Sequence, residues 1–420
     1  MVNIDGENKK VVGIIVECNP FHKGHARLIK ECKKHGDFIV AVMSGNFVQR
    51  GEPAVYDKYK RTKDLLKSGV DLVIELPVEY VLSSAKYFAS TGVKILNSLG
   101  FVDYIMFGSK IGDIDELKGL ASIDIDEGSQ CVAPTIMGSY NSPVHVKGSH
   151  SSPVHVKGSH SSPVRVNSSP VQKLLKEGKS YAAAIGEVLG KKLSSNDILA
   201  IEYIRALNEI KSKIEPLTIK RKNDLPTASK LREKIKKSIT CDSLSDILNY
   251  KLLLAKNLKE NTKENTFSNI YLMTNDMENA ILNSVSNKGS KKNISFTERA
   301  MKLKTKNVTL AFIKRLLFNI IFDIRKNEVV LKKINWVRVL GFKKESSDLI
   351  KQIKTPVLMS YSHSSYKSFV KKYKTKVIKQ NKNGDFILNS SLQKNIFASD
   401  LYYLLSNQKL CEAEWQVVVG

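Results

Sequence analysis

The 420-residue sequence lacks the features that mark secreted, disulfide-bonded and membrane-spanning proteins. Its five cysteines are scattered and show no C-x-x-C spacing, which argues against a disulfide framework or a zinc ribbon. The first ten residues, MVNIDGENKK, have no apolar signal-peptide core, and the apolar stretch 312–322 is too short and too charged to span a bilayer. We therefore expect a soluble, cytoplasmic protein in a reducing compartment, without membrane contact.

Acidic residues are scarce relative to basic ones. Lys and Arg number 67 against 41 Asp and Glu, which gives a formal net charge of +26. Such an excess favours a polyanionic partner, above all a nucleic acid. A general richness in lysine, with single lysines on solvated helix faces, is the alternative explanation.

Short apolar runs alternate with amphipathic stretches from Val11 to about Ile123. This alternation predicts an α/β fold with a mostly parallel sheet and helices on both faces. The predicted strands are VVGIIV (11–16), DFIVAVMSG (37–45), VDLVIELP (70–77) and VDYIMFGS (102–109).

Three near copies of a ten-residue unit, NSPVHVKGSH, SSPVHVKGSH and SSPVRVNSSP, interrupt this pattern at 141–170. A small β-solenoid or a histidine-rich metal-binding tract could have such a period. The Ser, Pro, Gly and Lys content favours a flexible insertion, at about 124–171. We predict an α/β domain over 1–240 and a basic, mostly helical domain over 241–420, whose strand-containing end includes NWVRVLGF and ASDLYYLL.

The stretch CNPFHKGH (18–25), between the first strand and a helix, is the strongest functional signal. Pro20 fixes the backbone, and Gly24 lets an anion approach the main chain closely. His22 and His25 are three residues apart, so on a first helical turn they project from one face. Two imidazoles beside a helix N-terminus form a donor pair for a phosphate, unless they are simply surface histidines. Because no pair of carboxylate ligands accompanies them, we predict no metal held by the protein.

This H-x-G-H turn resembles the signature of the nucleotidyltransferase superfamily, whose members attack the α-phosphate of a nucleotide in line. Further stretches are similar to the tRNA(Met) cytidine acetate ligase family, among them SGNFVQRGEPAVYDKYKRTKDLLKSG, SAKYFASTGVKILNSLG, SNDILAIEYIRAL and TKNVTLAFIKRLLFNII. The resemblance covers most of the chain apart from the repeats and parts of the C-terminal half. It implies a nucleotidyltransferase-like (Rossmann-type) sheet. It also implies that the protein forms acetyl-adenylate from ATP and acetate, then acetylates the wobble cytidine of elongator tRNA(Met) to N4-acetylcytidine.

Carried over residue by residue, the resemblance implies that His22 and His25 are the catalytic pair at the ATP phosphates. Arg232, in TASKLR, would suit the β- and γ-phosphates, and Mg²⁺ is expected with those phosphates rather than in a protein cage. Taken alone, Asn196 is more typical of a helix N-cap, at this position or at Ser195. The residues expected to bind ATP are Ile15, Val16, Glu17, Cys18, Asn19, Pro20, Phe21, His22, Lys23, Gly24, His25, Leu28, Gly108, Asn196, Arg221 and Arg232.

Two alternatives stand beside the ligase. The first is a small-molecule nucleotidyltransferase (adenylyltransferase), which would have no use for a basic helical half. The second is a catalytically inactive tRNA-binding relative, because the stretch between Arg221 and TASKLR is shorter than in the family, and Lys110 replaces its usual acidic residue. The segment 44–53 follows the second strand, and we expect it to shape an acetate pocket.

Overall fold

This computed structural model describes residues 2–4, 6–123, 173–174, 179, 181–188, 190–221, 228–235, 237–262, 266–285, 294–305, 308–330, 333–407 and 417–420. The predicted repeat insertion at 124–171 lies outside these residues. The strands are β1 (Val2–Ile4), β2 (Glu7–Lys9), β3 (Val11–Val16), β4 (Phe38–Ser44), β5 (Phe47–Val48), β6 (Glu52–Pro53), β7 (Leu72–Leu76), β8 (Tyr104–Ser109), β9 (Glu215–Lys220), β10 (Val337–Phe342), β11 (Val357–Leu358), β12 (Ile378–Gln380), β13 (Phe386–Leu388) and β14 (Val418–Val419).

The helices lie both between these strands and in a C-terminal group. They are α1 (Lys23–Cys32), α2 (Lys58–Lys67), α3 (Val78–Val81), α4 (Ala85–Leu99), α5 (Ile114–Ser122), α6 (Tyr181–Val188), α7 (Ser195–Glu209), α8 (Ala228–Glu233), α9 (Ser245–Thr262), α10 (Asn275–Asn283), α11 (Phe296–Leu303), α12 (Leu310–Phe322), α13 (Lys326–Val329), α14 (Asp348–Gln352), α15 (His363–Lys372) and α16 (Ser390–Leu405). Within the described residues, none of these helices is both long and apolar enough to cross a membrane.

The central sheet has the strand order β11-β10-β7-β4-β3-β8-β9, with β14 beside β10. The strands β7, β4, β3, β8 and β9 run parallel to one another, which confirms the predicted α/β fold with a largely parallel sheet. Strand β10 pairs antiparallel with β7 and comes from beyond residue 240. The division of the chain into two domains at residue 240 stays a prediction. If the chain divides there, the second domain contributes the strand β10 to the sheet of the first domain.

Helices cover both faces of this sheet because the central strands are apolar on both sides. On one face, Ile14 and Met43 belong to a core shared with α1, α2 and α12. On the other face, Val42 and Ile74 pack with α4 and α7. Because the central strands run parallel, their carboxyl ends lie together at one buried edge of the sheet, which is where such sheets bind ligands.

The C-terminal end contains strands, as expected, and VRVLGF forms β10, but ASDLYYLL is not a strand and lies in helix α16. The Asn389 side chain accepts a hydrogen bond from the Leu392 backbone N–H at 2.9 Å and starts the helix. Leu392, Asn395, Ser399 and Tyr402 are buried at intervals of three and four residues, the period of a helix.

Glu79, on α3, holds the N-terminal part of α16 against α3 through hydrogen bonds. Its side chain is buried and accepts hydrogen bonds from the Ser391 hydroxyl and, at 3.2 Å, from Asn395 Nδ2. Asn395 Oδ1 in turn accepts from the Val78 N–H at 2.9 Å. Burial raises the pKa of the Glu79 carboxyl to about 7, although the Ser391 hydrogen bond lowers it.

This shift makes the stability of the protein depend on pH through Glu79. Because the folded protein holds the proton more tightly than the unfolded chain, the stabilisation is complete below the ordinary glutamate pKa and disappears as pH rises through 7. We expect Glu79→Gln to remove about 3 kcal/mol of pH dependence from the free energy of unfolding. Urea unfolding at pH 4.5 and 8, as rough limits of the window, measures the difference, and equal pH dependence in both proteins would contradict it.

Candidate active site

The candidate site begins where β3 ends and α1 starts. His22 is the N-cap of α1, and its Nδ1 accepts a hydrogen bond from the Gly24 backbone N–H at 3.0 Å. The Nδ1 of His25 accepts from the His22 backbone N–H at 3.3 Å, so the two histidines complete a capping box. An added Cβ at Gly24 would lie 2.8 Å from the His22 ring, so glycine permits this cap.

The two imidazole rings stack, with their centroids 3.9 Å apart and their planes 27° apart. Burial lowers the pKa of both histidines, that of His25 to about 3, and the Arg221 guanidinium lowers both further. Both rings are therefore neutral near pH 7. Since each Nδ1 accepts a backbone hydrogen bond, we assign the single proton of each ring to Nε2. The site thus presents two N–H donors beside a helix N-terminus, as an anion requires.

Both predicted arginines approach the same turn. Arg221 follows β9, and its backbone N–H donates to the Ser109 carbonyl at 2.8 Å. A Cβ added at Gly108 would lie 3.3 Å from Arg221 Cγ, so the small residue leaves room for this side chain. Arg232, on α8, donates from Nη1 to the Asn19 carbonyl at 2.8 Å. The structure therefore brings Arg221 and Arg232 to the histidines from separate segments.

Asn196 lies in the first turn of α7 and is half-buried, but neither it nor Ser195 caps the helix. The cap is Ser194, whose side chain accepts from the Asp197 N–H. Asp197 Oδ1 accepts from the Lys110 N–H at 2.7 Å and the Ile111 N–H at 3.2 Å. Asp197, which sequence reasoning missed, thus ties α7 to the loop after β8. Its signal is the S-x-x-D spacing of a capping box.

The other residues of the stretch 15–28 that are expected to bind ATP differ in their exposure to solvent. Val16, Cys18, Asn19 and Pro20 are buried, and Lys23 is exposed. Cys18 has a positive φ of 47°, which turns the chain sharply after β3. The others are half-buried, and they are Ile15, Glu17, Phe21, Gly24 and Leu28.

Glu17 joins the turn to the segment 44–53. Its Oε1 accepts from the Gln49 N–H at 2.6 Å, and burial raises the pKa of this carboxyl. Its carbonyl accepts from Nη1 of Arg61, on α2, at 2.6 Å. Sequence reasoning missed Arg61, because an arginine in a Lys-rich helix looks like a surface residue, yet this side chain is fully buried.

A family model described as HIGH Nucleotidyl Transferase matches residues 9–135, 159–240 and 224–416. A tRNA(Met) cytidine acetate ligase of Thermoanaerobacter sp. (strain X514) is 34% identical, over 94% of this chain and 95% of its own length. One of Clostridium perfringens (strain SM101 / Type A) is 33% identical, over 82% and 87%. A crystal structure of Thermotoga maritima TmcAL bound with alpha-thio ATP has a TM-score of 0.72 at 24% identity, over 98% of this chain and 99% of that one.

The neutral state of the histidines can be measured directly. An ordinary imidazole titrates near pH 6.5, but burial and Arg221 hold the pKa of His25 at about 3. We expect the ring resonance of His25 to keep its chemical shift from pH 8 to about 5 in an NMR titration. The His25→Ala variant identifies the resonance. A titration of that signal near pH 6.5 would contradict the buried, neutral state.

Proposed function

This chain belongs to the HIGH nucleotidyl transferase family and, within it, to the tRNA(Met) cytidine acetate ligases, and we propose that it is an ATP-dependent acetate ligase. In the first step, a carboxylate oxygen of acetate attacks the α-phosphate of ATP, so that acetyl-adenylate forms and pyrophosphate leaves. In the second step, the acetyl group passes to the exocyclic amine of the wobble cytidine in elongator tRNA(Met), giving N4-acetylcytidine and AMP.

The observation that carries this proposal is the pair of neutral imidazoles at the N-terminus of α1. Their assigned Nε2–H groups are donors for the phosphate oxygens, on which negative charge increases during attack. Arg221 and Arg232 add positive charge beside them, and Arg232 is suited to the phosphates that leave. Catalysis of the first step then consists of positioning and charge stabilisation, without a protein nucleophile.

The nucleotide would lie across β3 and β8. Stretch 15–28 would wrap the phosphates, Gly108 would admit the nucleotide to the sheet edge, and Asn196 and Arg221 would complete its contacts. Over the described residues, no group of three or more His, Cys, Asp or Glu side chains is arranged to hold a metal ion. We propose that Mg²⁺ enters bound to the ATP phosphates, whose oxygens are the ligands it prefers.

The tRNA would be held mainly through its phosphates. A net charge of +26 supports such a contact, since neutralising phosphates releases condensed counterions and contributes affinity independent of sequence. The relatives act on tRNA(Met) by their names, which fits a cytoplasmic enzyme with a single-stranded anticodon base as its target.

Acetate-dependent exchange of labelled pyrophosphate into ATP tests the first step. We expect exchange in the parent protein and a loss of at least about 100-fold in a His22→Ala, His25→Ala double variant, since each ring donates to the reacting phosphate. His35→Ala is the matched control, because His35 lies just beyond the other end of α1. Exchange that needs a phosphorylated metabolite instead of acetate would favour the small-molecule enzyme. Binding of tRNA without any exchange would identify an inactive relative.

A further inference from the structure

Glu75 lies at the carboxyl edge of the sheet, on the side of β3 away from the proposed nucleotide contacts. It is paired in register with Met43 of β4, which is paired with Val16 of β3. Since neighbouring strands are about 4.8 Å apart, the Glu75 backbone is about 10 Å from the end of β3. Gly108 and Arg221 lie on the opposite side, at β8 and after β9. The β4–β7 side of the edge therefore remains for the acyl group and its acceptor.

The Glu75 carboxylate is buried but only half satisfied. Its side chain is 4% exposed, and Oε1 accepts from the Lys58 ammonium at 2.8 Å. A Cβ at Gly45 would lie 2.6 Å from this oxygen, so only glycine fits there. The other oxygen, Oε2, has no hydrogen-bond partner in the described part of the chain. A buried carboxylate oxygen without a donor is costly, which indicates that a ligand supplies one.

Glu75 also lines two cavities. The smaller, of about 10 Å³, is lined by Asn46, whose Nδ2 likewise has no partner among the described residues. The larger, of about 110 Å³, is lined by the half-buried Trp336 and the exposed Lys333 and Asn335. An indole face suits a nucleobase, and a lysine at the opening suits its phosphate.

We propose that Glu75 receives the exocyclic amine of the acceptor cytidine, whose base enters the larger cavity against Trp336. This inference rests on the proposed function and names the acceptor subsite within it. Cytosine presents an N4 amine donor, which a carboxylate accepts, whereas uracil presents an O4 acceptor at the same place. Glu75 Oε2 therefore selects the base that carries the reactive amine.

The same carboxylate also accepts the proton that the amine loses in the transfer step. The N4 nitrogen forms a bond to the acetyl carbon, and the bond between that carbon and the phosphate oxygen breaks. AMP leaves with the electron pair, and one amine proton passes to Glu75 and then to solvent. A positioned base of this kind contributes about 100-fold or more to such a step.

The decisive variant combines Glu75→Gln with Lys58→Met, because Glu75→Gln alone would leave a buried ammonium without its counterion. Three rates are measured: acetate-dependent pyrophosphate exchange, trapping of acetyl-adenylate by hydroxylamine, and acetylation of tRNA. We expect the first two to stay within a few-fold of the parent, roughly, and the third to fall at least about 100-fold. The control is Glu202→Gln with Arg205→Met, another buried carboxylate in an ion pair, at 3.0 Å, on α7.

Trp336 supplies an independent variant that leaves the ion pair intact. We expect Trp336→Leu to lower tRNA acetylation about tenfold, through lost stacking, while Trp336→Phe retains most of it. A binding measurement adds a readout that a structural role would not move. The parent should bind acceptor tRNA more tightly than tRNA carrying uridine at that base, and the Glu75→Gln, Lys58→Met variant should lose this preference.

Normal tRNA acetylation in the Glu75 variant would overturn the inference. Equal loss of exchange and tRNA acetylation would also overturn it, since Glu75 would then serve the adenylating step or the fold. A parent protein without acetate-dependent exchange would instead overturn the proposed function, and this inference with it.

Discussion

The buried guanidinium of Arg61 is the interaction on which the geometry of the site depends. It donates to the carbonyl of Glu17 at 2.6 Å, to that of Tyr56 at 2.9 Å, and to that of Gly45. Glu17 and Gly45 follow two neighbouring parallel strands, and Tyr56 precedes α2, so one side chain fixes three segments at the carboxyl edge. Lysine could not replace it, because the planar fork of donors satisfies several acceptors at once. Without Arg61, these carbonyls would lose their donor in a buried environment.

Several other cations lie at the same edge of the sheet as Arg61. Helix α2 buries a second cation, Lys58, and the arginines after β9 and on α8 approach the same edge. Burial keeps both histidines neutral, and the positive charge of Arg221 lowers their pKa values further. A neutral imidazole whose Nδ1 is occupied can only donate from Nε2, so its direction is fixed before a ligand arrives. In this site the positive charge is therefore carried by arginine, which remains protonated. The neutral histidines act as hydrogen-bond donors of fixed direction.

The sequence allowed the strands around β3 and the turn with the two histidines to be predicted, because both depend on local patterns. Alternating apolar runs define strands, and an amphipathic stretch that follows a proline-containing turn indicates a helix start. Arg61 and Glu75 could not be found in this way. A charged residue in a helix or a strand carries no local sign that it is buried, and its partner is distant in sequence. For the same reason the sequence indicated the strand β10 but not its place in the sheet, because its pairing with β7 spans more than half of the chain.

The acceptor cavity belongs to both halves of the chain. Glu75 and Tyr80 come from the N-terminal half, whereas Trp336 leads into β10 and Ser391 lies on α16. Ser391 also donates to Glu79, so the contact that docks α16 is next to the cavity that it lines. The turn with the two histidines uses residues of the first 240 positions only. The segment 44–53 beside this turn is nevertheless held by α12 of the C-terminal half, since Arg315 donates to the Gln49 carbonyl at 3.0 Å and Lys314 pairs with Glu52 at 2.8 Å. The fold therefore places the two proposed steps on one sheet edge, where the docked C-terminal half both supports the segment next to the histidine turn and lines the acceptor cavity.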